Sequence, residues 1–281
     1  MISQTPLPNT EALASLARRN VVASEMSSAD WRAVSATNRQ ESFFSARTLL
    51  ADLLEKYKAD VTDLLTTGET TRPDRVTDTN PEGKVNTGLN ETYARRDIKD
   101  FLMSINYTPA PADTDTIKDL SSDARVLLVL RTNKQLAQGQ GNWIQSQQNG
   151  VLESFPADEL FRLEARAKQR DWLARWRLAG DQTGDPIGTG WTITPDERMI
   201  ALKNHEIWNW IGSSELFDDA LDVIWPPFAF NSGMWIKDVS RADCEEIGLL
   251  DKTDAAPQPA NIVSALEKFT AKVSKFEEEA A

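Results

Sequence analysis

The sequence predicts an α+β protein in which a mainly helical N-terminal region precedes a tryptophan-rich α+β domain and a tail helix. The composition is that of a globular chain, because 40% of the 281 residues are hydrophobic and 26% are charged. Between Phe43 and Leu65 the apolar residues recur at steps of three and four, which is the period of an amphipathic helix. Eight of the nine tryptophans lie between Trp143 and Trp235, so we expect the aromatic core in the second half.

The N-terminal part is predicted to be an arm, 1–27, followed by the mainly helical region, 28–150. Within the arm, Thr10–Arg19 has the composition of a short helix and is followed by a serine-rich segment. The periodic stretch predicts one long helix over about 40–66 that ends near Gly68. We interpret it as a core-facing helix of a bundle, and the alternative is a helix that docks onto a larger assembly.

A polar stretch, 67–90, separates this helix from the next. It has no apolar period and is rich in glycine, proline, threonine and asparagine, which indicates a loop or hinge. Asn80–Lys84 is a candidate hairpin within it. A helix over about 91–104 follows and stops before the proline-rich string YTPAPADTD.

The next long element is predicted over 117–148. Ser121 or Ser122 is suited to cap its N-terminus, because a serine hydroxyl can accept a hydrogen bond from a free backbone N–H of the first turn. Gly139 and Gly141 either weaken the middle of the element or permit close helix packing.

The C-terminal domain is predicted over 151–250. Its segment from Leu160 to Ala165 fits either a strand or a helix, since the apolar spacing does not distinguish them. A helix is predicted over Asp171–Ala179, ended by Gly180. A rigid turn is expected in the proline-rich string WPPFAFNSGMW, and its signature residues are Trp225, Pro226, Pro227, Asn231, Gly233 and Trp235.

The domain is expected to close with a short helix. Ser240 and Asp243 have the spacing of a capping box with Asp in place of Glu, and Gly248 is expected to end the helix. Residues 251–281 are predicted to be a linker and a polar amphipathic tail helix over about 260–278.

Charge and residue counts restrict the classes of function. The net charge of −12 and the sequence pI of about 4.7 disfavour a protein that coats nucleic acid, although a local basic patch is compatible with them. A single cysteine, Cys244, and a single histidine, His205, exclude an intramolecular disulfide and a multi-Cys/His zinc site. The first ten residues lack a basic and an apolar region, and no apolar run approaches the ~20 residues of a bilayer span, so neither a secretory signal nor a membrane segment is expected.

The first candidate site is a basic segment, Arg162–Arg177, which is locally positive in an acidic protein. Arginine and tryptophan together suit contacts with phosphates and stacked bases, or with an acidic protein surface. The alternative is that the tryptophans belong to the core and that the arginines pair with carboxylates or lie in solvent. The candidate interaction surface, or its structural support, consists of Arg166, Arg170, Trp172, Arg175 and Trp176.

Two further features are candidates for chemistry. The close carboxylates Asp218, Asp219 and Asp222 could perform acid–base work or hold a divalent metal, but solvated charge is the default interpretation. His205 is interpreted as a surface or capping residue, because its neighbours Lys203 and Glu206 do not indicate a catalytic site. We therefore predict no catalytic residues, no metal and no cofactor.

Four strings occur in an order that resembles the phage Mu F-like minor head proteins, also called head morphogenesis proteins. They are LSSDARVLLVLRTNKQLAQGQGNW, LESFPADELFRLEARAKQRDWLARW, ERMIALKNHEIW and WPPFAFNSGMWIKDVSRADCEEIGLL, and RQESFFSARTLLADLL resembles the opening of these proteins. The most specific parts are Asp-Trp-x-x-Arg-Trp at 171–176 and the Pro-Pro string with the following Asp-Val-Ser-Arg. Many family members carry a cysteine in the turn after Pro-Pro; this chain has none there, so no metal or disulfide role transfers.

The resemblance implies a non-enzymatic minor capsid protein that acts in head morphogenesis. Its partners would be the phage portal protein, the major capsid or scaffold proteins, and packaged DNA in some relatives, with no membrane. It would be found in the host cytoplasm during assembly and then in the virion. The alternatives are a carboxylate-based phage-encoded hydrolase or transferase and a DNA-contacting ejection protein that uses the basic segment.

Overall fold

The structure, a computed structural model, describes residues 9–66, 70–73, 84–85, 91–166 and 169–260. It confirms the predicted α+β class, because helices and small sheets occur together. Contacts divide the chain into two compact units, one within Met1–Val34 and Asn38–Gly141 and the other within Ser35–Thr37 and Asn142–Ala281. None of the helices in the described ranges is both long and apolar enough to span a membrane.

The N-terminal half contains helices and two small two-stranded sheets. The elements are α1 (Thr10–Arg18), β1 (Asn20–Val22), α2 (Ser28–Arg32), α3 (Ala36–Gln40), β2 (Ser42–Phe44), α4 (Ala51–Leu65), β3 (Thr70–Pro73), β4 (Lys84–Val85), α5 (Glu91–Ser104) and α6 (Asp123–Ser146). Strands β1 and β2 pair in parallel, and β3 and β4 pair antiparallel. The predicted helix over 91–104 is confirmed by α5. Of the candidate hairpin Asn80–Lys84, all but Lys84 lies outside the described residues.

The single long helix predicted over 40–66 is wrong. Strand β2 interrupts it, because Phe43 pairs with Val21 of β1 and is completely buried. Arg47 then adopts a positive φ of 55°, which a continuing right-handed helix does not allow. Only α4 remains helical, and Leu53, Leu54 and other apolar residues on one of its faces are buried, so its core-facing interpretation is confirmed.

The described part of the predicted arm belongs to the packed core. Helix α1 confirms the short helix, and its Ala12 and Leu16 are fully buried with the apolar face of α4. A Cβ added to Gly141 of α6 would lie 2.6 Å from the backbone N of Ala12. Gly141 therefore permits a close approach of α1 and α6, which is one of the two roles expected for it.

Helix α6 begins where a serine caps it. The backbone N–H of Arg125 donates to Oγ of Ser122 at 3.2 Å, so Ser122 and not Ser121 is the cap. The guanidinium of Arg125 is buried and donates to Oγ of Ser45 at 2.6 Å and to the carbonyl of Ala46. These bonds hold the turn between β2 and α4 against α6.

The second unit is built on a four-stranded antiparallel sheet. Its elements are α7 (Asn149–Ser154), β5 (Ala157–Arg162), α8 (Trp172–Thr183), β6 (Trp191–Ile193), β7 (Met199–Leu202), α9 (Ile207–Ile211), β8 (Met234–Val239) and α10 (Arg241–Glu246), and the strand order is β6-β7-β5-β8. Side chains alternate between the two faces of a strand. Leu160 and Ala201 accordingly join an aromatic core with α8 and α9, whereas Ala157 and Ile200 join a smaller core with Cys244 of α10.

The end predicted for the helix at Gly180 is wrong, because α8 continues to Thr183 and the left-handed Gly184 terminates it. Gly180 instead makes room for an aromatic ring, since a Cβ there would lie 2.3 Å from the indole of Trp191. The ambiguous segment from Leu160 to Ala165 is resolved as a strand that ends at Arg162.

The capping of the last described helix is confirmed. The backbone N–H of Asp243 donates to Oγ of Ser240 at 3.1 Å, and Gly248, at a φ of 71°, follows the end of α10. The predicted tail helix over about 260–278 lies, except for Ala260, outside the described residues.

Candidate functional site

The two tryptophans of the basic segment lie inside the second unit. Trp172 and Trp176 are buried on α8, where Asp171 caps the first turn by accepting from the N–H of Ala174. The Trp176 ring meets Trp208 of α9 edge-on at 5.1 Å, and its Nε1 donates to the carbonyl of Thr192 at 3.2 Å. These rings are therefore part of the core, as the alternative interpretation held, and are not displayed for stacking with a ligand.

Two arginines of the segment share one carboxylate. Nη2 of Arg175 lies 2.7 Å from Oδ1 of Asp219, and Nε of Arg170 pairs with the other carboxylate oxygen, Oδ2. Arg170 also donates from Nη2 to the carbonyl of Phe230 at 2.7 Å and from Nη1 to that of Asn231 at 3.3 Å. The two guanidinium groups thus connect the start of α8 to the segment 219–231. We call Arg170, Arg175 and Asp219, with these contacts, the arginine clamp.

The clamp is supported by aromatic rings on one side. The guanidinium carbon of Arg175 lies 5.1 Å from the ring centroid of Trp172 and 4.5 Å from that of Phe217. A cation above an aromatic face is attracted by the ring quadrupole, and the attraction increases when water is excluded. The buried rings therefore favour one position of Arg175 and keep it directed at Asp219.

Arg166 extends the same set of contacts. Its Nε donates to the carbonyl of Asn231 at 3.2 Å, and its Nη2 lies 2.7 Å from Oε2 of Glu164. The backbone N–H groups of Leu163 and Glu164 both donate to the carbonyl of Gly233, at 2.9 and 3.0 Å. The basic segment and the Pro-Pro string consequently hold each other through backbone as well as side-chain bonds.

The Pro-Pro string forms a buried turn. Trp225, Pro226 and Pro227 are buried, the Pro226–Pro227 peptide bond is cis, and Oγ of Ser232 donates to the carbonyl of Pro227 at 2.6 Å. The Trp225 ring lies 5.9 Å from that of Trp143.

Three residues of this turn have left-handed backbone, and the first of them is Phe228, with a φ of 57°. Asn231 has a φ of 50° and Gly233 a φ of 69°, and a Cβ on Gly233 would come within 2.3 Å of the carbonyl of Glu164. Trp235, the last signature residue, is partly exposed on β8. All six signature residues were predicted to form one rigid turn, and the structure places five of them in the turn and Trp235 on β8. The sequence did not show that the turn contacts the basic segment.

His205 connects a loop to a helix. Its Nδ1 accepts from the backbone N–H of Ile207, the first residue of α9, at 3.2 Å, and its Nε2 lies 3.2 Å from Oδ2 of Asp185. Because Nδ1 is the acceptor, the proton of the neutral ring is on Nε2. Burial lowers the pKa of His205, although the charge of Asp185 opposes this effect. The prediction was a surface or capping residue; the ring is not on the surface, and it accepts a bond from the first N–H of α9 although Glu206 is the N-cap residue.

The close carboxylates Asp219 and Asp222 bind different groups of the second unit. Asp219 belongs to the arginine clamp, whereas Oδ1 of Asp222 accepts from the backbone N–H of Ser214 at 2.6 Å. Within the described ranges no group of three or more His, Cys, Asp or Glu side chains is placed to hold a metal ion.

Sequence reasoning missed a buried ion pair network next to the sheet. Nζ of Lys203 lies 2.5 Å from Oδ1 of Asp238 and 3.7 Å from Oδ1 of Asp158. Burial raises the pKa of Asp158 to about 7, and the charge of Lys203 opposes the increase. The only available signal was a lysine directly after an apolar run, which does not indicate burial by itself.

Taken together, these contacts make the candidate site a stabilising junction between the basic segment and the Pro-Pro string. Its guanidinium groups point to carboxylates and carbonyls of the same unit. The junction can hold the basic segment and the Pro-Pro string in one relative position. On α8, Arg177 and Leu178 remain exposed to solvent. No protein-family model, curated protein or solved structure matches the chain.

Proposed function

We propose that the chain is a non-enzymatic minor head protein of a tailed phage or prophage. It acts in head morphogenesis by binding the portal protein, the capsid interior, or both. The proposal originates in the ordered strings that resemble the Mu F-like minor head proteins, and the structure adds an observation that supports it.

That observation is the mutual packing of the strings. Asp-Trp-x-x-Arg-Trp lies at the start of α8, HEIW leads into α9, and WPPFAFNSGMW forms the turn that precedes β8. The rings of Trp176, Trp208 and Phe228, one from each string, follow one another at centroid distances of 5.1 and 5.9 Å. Segments that make one core together are expected to be retained together, which supports treating them as a single family signature.

The contacts favour a structural role for these residues over the two alternatives. A carboxylate-based enzyme would need an acid that is available to a substrate, but Asp219 is bound by two arginines. A DNA-contacting protein that uses this segment would need available cations, but Arg170 and Arg175 are bound by Asp219 and by backbone carbonyls. We infer that the arginine clamp supports an interaction surface and is not itself that surface.

The test is quantitative mass spectrometry of purified particles from an induced lysate, with the protein counted against the portal and major capsid proteins. A few to a few dozen copies per mature head establish a minor virion component. Presence in proheads with loss from mature heads establishes an assembly factor. Absence from both would overturn the proposal.

A pair of variants distinguishes support from surface. Arg170→Ala removes part of the arginine clamp, whereas Arg177→Ala removes an exposed arginine of α8. We expect Arg170→Ala to lower the thermal stability of the purified protein and, through it, the copy number per head. Lower copy number at unchanged stability would show instead that Arg170 contacts the partner directly.

A further inference from the structure

Arg19 is a buried cation whose side chain has no partner among the described residues. It directly follows α1, precedes β1 and is only 5% exposed. Among the described residues its side chain forms no ion pair and no hydrogen bond. Nε is closed off from solvent, whereas the two terminal nitrogens still touch it. Buried donors in native proteins almost always have a partner, and the described residues supply none to this side chain.

The electrostatic surroundings of Arg19 are also unbalanced. Burial lowers its pKa to about 10, and no acidic group of the described residues acts on it. At neutral pH the guanidinium nevertheless remains charged. A charge in this position disfavours the folded chain until an anion neutralises it.

The other buried cations of the described residues show what a balanced site looks like. Lys203 lies between Asp158 and Asp238, and Arg125 donates to a hydroxyl and a carbonyl of the β2–α4 turn. Each is therefore explained by the fold. Arg19 is the exception, and its lack of a partner is specific to this position.

The backbone around Arg19 is held in place. Nζ of Lys58 on α4 donates to the carbonyl of Arg19 at 2.7 Å and to that of Ala17 at 3.2 Å. The N–H of Arg19 donates to the carbonyl of Leu16, and the next N–H, of Asn20, donates to that of Glu41. The guanidinium is thus presented from a fixed main chain, which reduces the entropy lost when a ligand binds.

We propose that Arg19 binds one carboxylate group, supplied by an acidic side chain of a partner protein. A guanidinium suits a planar oxyanion because its nitrogens form a fork that matches two oxygens. The reachable part is limited to the two terminal nitrogens, which fits a single small group. A nucleic acid is disfavoured, because the chain carries a net charge of −12 and one recessed arginine is not a track for a backbone. Only the source of the carboxylate, a portal or capsid subunit, rests on the proposed function.

The direct test is a titration followed by NMR on the full-length ¹⁵N-labelled protein. The Nε–Hε signal of Arg19 is assigned by its loss in Arg19→Met. Sodium acetate is added at constant ionic strength against sodium chloride, and sodium phosphate is added in a parallel series. We expect a saturable shift of the Arg19 signal with acetate. An Arg19 signal that does not respond would overturn the site, and a tighter response to phosphate would overturn the choice of a carboxylate.

Thermal stability gives an independent readout with a matched control. Arg19→Met should be at least as stable as the wild type in chloride, because it removes an unpartnered charge, and it should lose the stabilisation by acetate. Arg18→Met changes the exposed neighbour and should keep that stabilisation. Strong destabilisation by Arg19→Met with an unchanged acetate response would make Arg19 purely structural. Neither result depends on whether the protein is found in phage heads, so the two proposals fail separately.

Discussion

Oδ1 of Asp219 lies 2.7 Å from Nη2 of Arg175, although 44 positions separate the two residues in the chain. The same carboxylate pairs with Arg170, so one acid holds two members of a segment that appears in the sequence as a basic patch. The basic patch is therefore largely directed inward. Its role in the folded protein is to join α8 to the turn that carries the Pro-Pro string.

The buried ring of Trp176 predicts a large loss on truncation. Trp176→Ala removes the edge-on contact with Trp208 and the hydrogen bond to Thr192, and we expect the free energy of unfolding to fall by about 3–5 kcal/mol. Trp235→Ala is the control. Because Trp235 is partly exposed, we expect a smaller decrease in the free energy of unfolding for this variant. Urea unfolding followed by circular dichroism measures both. Equal losses would contradict the assignment of Trp176 to the core.

The close approach of the backbones of Gly233 and Glu164 predicts a large loss of stability when a side chain is added at Gly233. Gly233→Ala strains a left-handed residue and also places a Cβ 2.3 Å from the carbonyl of Glu164. Gly184→Ala is a matched control, because Gly184 has a φ of 78° and nothing lies within 4 Å of the added Cβ. We expect about 1–2 kcal/mol of destabilisation in the control from strain alone, and a larger loss at Gly233. Equal losses for the two variants in thermal or urea unfolding would mean that the backbone at Glu164 moves away from the added Cβ with no loss of stability.

The His205 cap predicts a pH dependence of stability. Burial lowers the pKa of His205 in the folded state, so the unfolded chain binds the proton more readily. Its contribution is therefore present above the unfolded pKa of about 6.5 and is lost as the pH falls below it. We expect the stability difference between the wild type and His205→Asn to shrink between about pH 7.5 and pH 5.5. A difference that grows over this range would show that protonation strengthens the contact with Asp185.

The comparison with His205→Asn is needed because another group titrates in the same range. Burial raises the pKa of Asp158 to about 7, so its contribution to stability has the opposite sign and increases as the pH falls. Both proteins contain Asp158, and the difference between them removes its effect. The measurement is urea unfolding of each protein at a series of pH values.

The features that could be predicted from the sequence are those set by neighbours in the chain. The period of α5, the cap of α6 at Ser122 and the cap of α10 at Ser240 all depend on residues within one helical turn. The helix period of α4 was also correct. Its extension back to residue 40 was wrong, because the strand at Phe43 exists only through pairing with Val21.

The features that could not be predicted depend on distant contacts. Gly180 had the character of a helix end, and only the position of Trp191 shows why a glycine is needed inside α8. The arginines and tryptophans of the basic segment stand out in the sequence, but nothing there connects Asp219 with them. A spacing of 44 residues carries no local signal, so the pairing that directs the arginines inward required the structure.

The most direct test of the account is a double-mutant cycle between Arg175 and Asp219. Arg175→Gln and Asp219→Asn are measured singly and together by urea unfolding, and the arginine clamp predicts a coupling of about 1–3 kcal/mol. The control is a second cycle with Arg177→Gln and Asp219→Asn. Arg177 is exposed on the same helix as Arg175, so the effects of these two substitutions should be additive within about 0.5 kcal/mol. A coupling for Arg175 no larger than that for Arg177 would contradict the clamp and return the basic segment to the solvent-facing role.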